Sequence, residues 1–197
     1  LLLIGAGRSH AAPGWEQLPG LLAQITPPQF PAKEFNVTRY GAIGDGKSDN
    51  TAAFQAAIAA CHQAGGGRVV VPAGVYLTGA IHLKSNVNLH LQKGATLLFS
   101  RDYKKYLPVV YTRFEGVECY NYSPFIYAFG QENLAITGEG TLDGNADTTA
   151  WWPWAGKGDH GFRSDSPSQN KDRELLFAMA EKNVPVEKRI FGEGHYL

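Results

Sequence analysis

Asn86-Val87-Asn88-Leu89-His90-Leu91 leads to Gly94-Ala95-Thr96-Leu97, and Asn133-Leu134-Ala135-Ile136 leads to Gly140-Thr141-Leu142-Asp143-Gly144; the fold turns on this echo. In each copy an Asn opens a short alternating apolar run, and a Gly introduces the next one. The two Asn positions lie 47 apart, which fits two coils of roughly 20–25 residues each, the size of a solenoid repeat. Alternation sends Val87, Leu89 and Leu91 inward in one coil and Leu134 and Ile136 inward in another. No coil buries that face alone, so stacking of coils makes the core. The expected architecture is an all-β parallel β-helix.

The neighbouring sequence continues the pattern. Arg68-Val69-Val70-Val71, Val75-Tyr76-Leu77, Ala80-Ile81-His82-Leu83, Phe125 to Phe129 and Val184 to Phe191 also read as short strands. Thr51 to His62 is Ala-rich and puts Phe54, Ala57, Ile58 and Cys61 on one helical face. Ser48 or Asp49 can cap its start, and Gly65-Gly66-Gly67 stops it. A solenoid needs such a helix over its open end, whereas a β-sandwich, the competing architecture, leaves it unexplained. Two shorter helices are expected, one around Glu16 to Ile25 and one over Glu174 to Glu181, the latter for packing.

Composition agrees. The 197 residues include 23 Gly, 11 Pro and 12% aromatics, with 44% hydrophobic and only 18% charged residues. That balance suits a turn-rich β protein and excludes general disorder. Eighteen basic and eighteen acidic side chains give no net charge, which argues against nucleic acid as partner. No apolar run approaches the ~18 residues that a membrane span needs. Cys61 and Cys119 can either pair or stay as two buried thiols. Leu1 to Gly7 followed by small polar residues reads as the tail of a secretory signal, residues 1–12, which implies a secreted or periplasmic protein. Residues 13–34 form a Pro-rich segment, and the coils occupy 35–197.

Phe35 to Tyr76 resembles the N-terminal signature of the pectin-lyase-like β-helix superfamily. The matching residues are Tyr40-Gly41-Ala42-Ile43-Gly44-Asp45-Gly46, Asp49-Asn50-Thr51, Ala53 to Ile58 and Gly66 to Tyr76. Gly79, Leu83 to Val87, Gly94 to Leu97, Gly138 to Gly144 and Trp151-Trp152-Pro153-Trp154 further resemble the first half of glycoside hydrolase family 28. The resemblance implies a right-handed helix and inverting hydrolysis of α-linked galacturonic acid in pectic polysaccharide. It implies no metal or other cofactor, and a monomer is expected.

The catalytic motifs of that family are an Asn-Thr-Asp stretch, an Asp-Asp pair, a Gly-His-Gly and an Arg-Ile-Lys. Asn50-Thr51 is followed by Ala52, Asp159-His160-Gly161 and Gly194-His195-Tyr196 lack the first or last Gly, and Arg189-Ile190 is followed by Phe191. No catalytic residue is therefore assigned. Inversion needs two carboxyl groups about 6.5–9.5 Å apart, which neighbouring coils would supply. The chain also stops in strand-like sequence without a polar cap, so it is expected to be the N-terminal part of a longer enzyme and inactive alone.

Trp151, Trp152 and Trp154 lie in a Gly- and Asp-rich excursion with Lys157, Arg163 and Lys171. Aromatic faces stack on sugars and cations pair with uronate, so Trp151, Trp152, Trp154, Lys157 and Arg163 are the expected substrate-binding residues. Asp45, Asp49 and Asn50 read as a turn and cap rather than a cation loop. Glu139 and Asp143 read as turn residues, His82 and His90 as wall residues, and Tyr120, Asn121 and Tyr122 as a further loop. Two other readings stay open: a lyase on the same scaffold, often aided by Ca²⁺, and a non-catalytic carbohydrate-binding β-helix.

Overall fold

The computed structural model describes residues 14–197, so the expected signal remnant lies outside the described residues. The chain opens with a 3-10 turn, Trp15–Gln17, and a short helix, α1 (Leu18–Gln24). Then come β1 (Glu34–Asn36), β2 (Asp45–Asp49), α2 (Thr51–Gln63), β3 (Gly67–Val71), β4 (Gly74–Thr78) and β5 (Ile81–His82). β6 (Val87–Leu91), β7 (Ala95–Phe99), β8 (Val110–Phe114), β9 (Val117–Asn121) and β10 (Ile126–Tyr127) follow. β11 (Ala135–Gly138), β12 (Thr141–Asp143) and α3 (Asn170–Glu181) complete the regular elements.

Three parallel sheets run along the molecule, ordered β1-β3-β6-β11, β2-β4-β7-β12 and β5-β10. Successive strands of the chain pass from one sheet to the next, an arrangement consistent with a right-handed β-helix. Arg68 pairs with Asn88, 20 positions on, and Val75 with Thr96, 21 positions on. Asn88 then pairs with Ala135, 47 positions on. The 47-residue echo is therefore one coil and not two. Its surplus is the stretch between β7 and β10, which holds a 3-10 turn, Tyr103–Tyr106, and the antiparallel hairpin β8-β9. Only the strands must keep register, so a turn can take up such an insertion without disturbing the stack.

The repeated Asn has a physical reason. Asn86 and Asn133 both hold positive φ, 67° and 54°, at the turn into the first sheet. Asn133 Nδ2 donates to Asn86 Oδ1 over 2.9 Å, so the two turns are tied one above the other. Gly138, at φ 103°, lies so close to the Leu91 backbone that no side chain fits there.

Val69, Val71, Ile81, Leu89, Leu97 and Phe99 fill the interior with almost no exposure, and Phe54, Ala57, Ile58 and Cys61 of α2 close it at one end. A fully buried Leu or Val contributes about 1.5–3 kcal/mol, and the stacked coils repeat that gain. The helix cap differs in detail from expectation. Asn50 is the N-cap residue, while Asp49 Oδ1 accepts from the Thr51 amide and hydroxyl. The buried Asn50 carboxamide instead ties the Ile43 backbone, the Ser48 carbonyl and the Leu77 carbonyl together.

Two expectations need correction. The molecule is not purely β, because α3 and the segment after it form a second small core of Cys119, Leu176, Phe191 and Leu197 against the hairpin. Val184 to Phe191 is not a solenoid strand. Pro185 precedes a 3-10 turn, Val186–Lys188, and Ile190 then makes a single parallel bridge to Tyr120 on the edge of the hairpin.

Cys61 and Cys119 are free, and each sits in a different core. Burial pushes the Cys61 thiol up to about 11 and also raises that of Cys119. Neither thiol is expected to react with DTNB at pH 8 in the native protein, and both should react after unfolding. Rapid native labelling would contradict this packing.

Candidate functional site

The chain leaves the solenoid repeatedly at one place, the turn between the second sheet (β2, β4, β7, β12) and the third (β5, β10). α2 departs there after β2, the Tyr103–Tyr106 turn and β8-β9 after β7, and residues 144–197 after β12. The last two excursions enclose a cleft of about 460 Å³. Tyr103, Tyr106, Tyr122, Phe125, Trp151 and Trp154 dominate its lining, with Arg113, Asn121, Ser123 and Gln169 as polar members.

The aromatic rings brace one another. Trp154 lies edge-on to Tyr103, Trp151 and Tyr196, at centroid distances of 5.9, 5.2 and 5.1 Å. Trp151 also meets Tyr106 and Phe125, and Phe125 stacks on core residue Phe99 at 4.5 Å. The cleft wall is thus continuous with the solenoid interior. Such edge-to-face contacts add about 0.5–1.5 kcal/mol each beyond burial.

Trp151 holds φ 63° and ψ −53° as the centre of a tight turn in which the Trp152 amide donates to the Ala150 carbonyl over 2.8 Å. That γ-turn is strained for a side chain other than Gly. Arg101 anchors the strained loop. Its guanidinium donates to Asn145 O and Oδ1, Thr149 Oγ1 and Asp147 Oδ2. Asp147 in turn accepts from Thr149 and the Ala150 amide; the bonds from the Thr149 hydroxyl and amide, with the Arg101 guanidinium, lower its carboxyl to about 2. The indole Nε1 of Trp151 is buried without a protein partner.

Across the cleft, α3 and the last residues are pinned by Asp172. This residue is 7% exposed, and its carboxylate meets His195 Nδ1 at 2.7 Å and accepts from the Tyr196 amide at 2.7 Å. Tyr122 OH donates to Gly192 O over 2.7 Å, and burial, with Tyr103 and Tyr196 nearby, raises this phenol to about 12. Burial likewise raises Tyr106, whose OH donates to Ser100 O over 2.6 Å. These phenols stay protonated at neutral pH and act as hydrogen-bonding groups, not bases. Arg113 is the one cation on the lining, paired with Glu118 on the neighbouring strand at 3.1 Å.

The structure brings Trp151 and Trp154 of the expected set onto this cleft. Trp152 is exposed beside it, and Lys157 and Arg163 are exposed farther along the same excursion, off the lining. Tyr103, Tyr106, Arg113 and Gln169 were not singled out from sequence. The only signal for the first three is the Tyr-rich composition of 103–127, and Gln169 has none, because the meeting of distant excursions across a fold is not a local pattern. Asp143 Oδ1 accepts from the Asn145 amide as a turn residue does. His82 and His90 sit in the wall, bonded to Ser123 Oγ and Thr137 Oγ1. Among the described residues no three His, Cys, Asp or Glu side chains gather as a metal-ligand set, and no helix is long and apolar enough to cross a membrane.

The cleft can stack rings, donate and accept hydrogen bonds and offer one guanidinium. Among the described residues its lining carries no Asp or Glu side chain.

A sequence family described as rhamnogalacturonase A/epimerase, pectate lyase-like, matches residues 34–92. The structure of a hyperthermoactive exopolygalacturonase from Thermotoga maritima superposes over 92% of this chain with a TM-score of 0.88 and 50% identity. The N-terminal region is similar to the pectin-lyase-like β-helix superfamily and to the family 28 polygalacturonases within it. An exo-poly-α-D-galacturonosidase of Dickeya chrysanthemi is 41% identical over 121 residues, 57% of this chain. Mannuronan C5-epimerase AlgE2 of Azotobacter vinelandii is 35% identical over 159 residues, 75% of this chain. The chain spans 40% of the Thermotoga structure, 20% of the Dickeya protein and 14% of the epimerase.

In this β-helix, removal of the Asp172 carboxylate is expected to release the last residues from α3. A hydrogen bond to a charged group is worth about 1.5–3 kcal/mol, so the Asp172→Ala variant should exchange its Tyr196 amide about 10- to 100-fold faster. Amides of β6 and β7 should keep their protection. Unchanged exchange at Tyr196 would place the anchor elsewhere.

Proposed function

We propose that this chain is the N-terminal part of a secreted or periplasmic, family 28-like glycoside hydrolase that removes galacturonic acid from the end of a pectic chain by inverting hydrolysis. The observation that carries the reading is the aromatic cleft, with Arg113 on its lining, on a scaffold 50% identical to an exopolygalacturonase over 92% of the chain. A cleft of rings, amides and one guanidinium suits a sugar acid: rings stack on the pyranose and Arg113 meets the carboxylate. The acid and base then come from coils that follow residue 197. Trp151 and Trp154 hold the sugar in the cleft, while Trp152, Lys157 and Arg163 meet units that extend beyond it. The excursions that wall the cleft suit a site that accepts a chain end better than a through-running polymer.

The epimerase relatives act on mannuronan by their names, so a lyase or epimerase chemistry at the later coils is the competing outcome. The test is an assay of the full-length protein on polygalacturonate, following new reducing ends and unsaturated product together. Reducing ends without unsaturated product support hydrolysis; unsaturated product moves the protein to the lyases. Trp154→Ala in the full-length enzyme should raise KM about tenfold or more with a smaller change in kcat, the signature of lost uniform binding. The 197-residue chain alone should release no reducing ends, and turnover by it would overturn the assignment of the acid and base to later coils.

A further inference from the structure

An exposed apolar face runs along the N-terminal helix and its flanks. Trp15, Leu18, Leu22 and Ile25 recur at helical spacing and are 70, 39, 57 and 67% exposed. Neither α1 nor the turn before it has a buried residue. An amphipathic helix of this length is not stable in water alone and gains its stability by packing.

The linker shows where that packing lies. Lys33 O accepts from the Arg68 amide beside β3, and Gln29 O accepts from Asn133 Nδ2 just before β11. Residues between them lie over Arg68 and Asn88, on the outer face of the first sheet. Five residue steps, Glu34 back to Gln29, thus cross from β1 to β11, the full width of that sheet. Three strand spacings make about 14 Å, which five extended residues of about 3.3 Å each just cover. The linker therefore runs along the solenoid axis. At Gln29 it is already level with the last described coil. Pro27 and Pro28 keep the chain extended, and four such residues add about 12 Å at roughly 3.1 Å each. Folding back over β6 or β11 would cover the segment, yet every residue from 14 to 29 is exposed.

We infer that α1 is a strap whose apolar face docks on the outer flank of the coils that continue the solenoid past β11 and β12, clasping the first coil to the later ones. This rests on the reading of the chain as part of a longer solenoid. β11 and β12 each pair on one side only, and Ile136 and Leu142 on them are 45% exposed, so the stack is open where the strap points. The strap spans the coils that carry the aromatic cleft and ties them to whatever coils supply the acid and base.

Hydrogen exchange of the full-length protein and of the 197-residue chain, measured side by side, tests this. Amides of residues 18–25 should exchange at least 100-fold more slowly in the full-length protein. The Leu18→Ser/Leu22→Ser double variant should lose that protection while β3 and β6 keep theirs. If α1 exchanges freely although strands beyond residue 197 are protected, the strap is wrong and the longer-solenoid reading stands. If nothing beyond residue 197 is protected as a solenoid, both fall. Equal protection of α1 in the 197-residue chain overturns the strap too.

Discussion

Parallel pairing of each coil on the one before it is the constraint on which this molecule depends. Gly67 to Val71 must lie on Val87 to Leu91, and Asn88 to Leu91 on Ala135 to Gly138, residue for residue. A slip of one position would turn Val69, Leu89 and their neighbours from the interior to solvent. The Asn86–Asn133 contact and Gly138 against Leu91 hold that register at the turns. Because strands are fixed and turns are not, all large departures from the coil collect at one junction, and the cleft forms there.

The cleft joins two kinds of stability. Phe99, Phe125 and Trp151 carry solenoid packing outward into the excursion, while Arg101 and Asp172 secure the loops by charge-assisted hydrogen bonds. The strained turn at Trp151 persists because Arg101, Asp147 and the surrounding rings over-determine it. A rigid wall of rings presents binding surface with little entropy left to lose.

The coil strands and the capping helix were legible because alternation and helical spacing are local signals; Phe54, Ala57, Ile58 and Cys61 are buried as their spacing implies. The coil length was not. The Asn-to-Asn distance counts the hairpin as if it were a coil, and nothing in the 47 residues marks β8 and β9 as antiparallel until Glu115-Gly116, both at positive φ, is seen as their two-residue turn. Val184 to Phe191 has strand composition, but Pro185 and the Arg189 side chain, which donates to Val184 O, turn it aside. Of the cleft, the tryptophans stood out by their clustering. Tyr103 and Arg113 did not, since what places them is a meeting of two excursions some forty residues apart.

The most direct test is a crystal of the full-length protein soaked with a short oligogalacturonide. The sugar is predicted to stack on Trp154 and Tyr103 with a carboxylate at Arg113, at the junction of the second and third sheets. A sugar bound instead along the outer face of the first sheet, away from both excursions, would contradict the account.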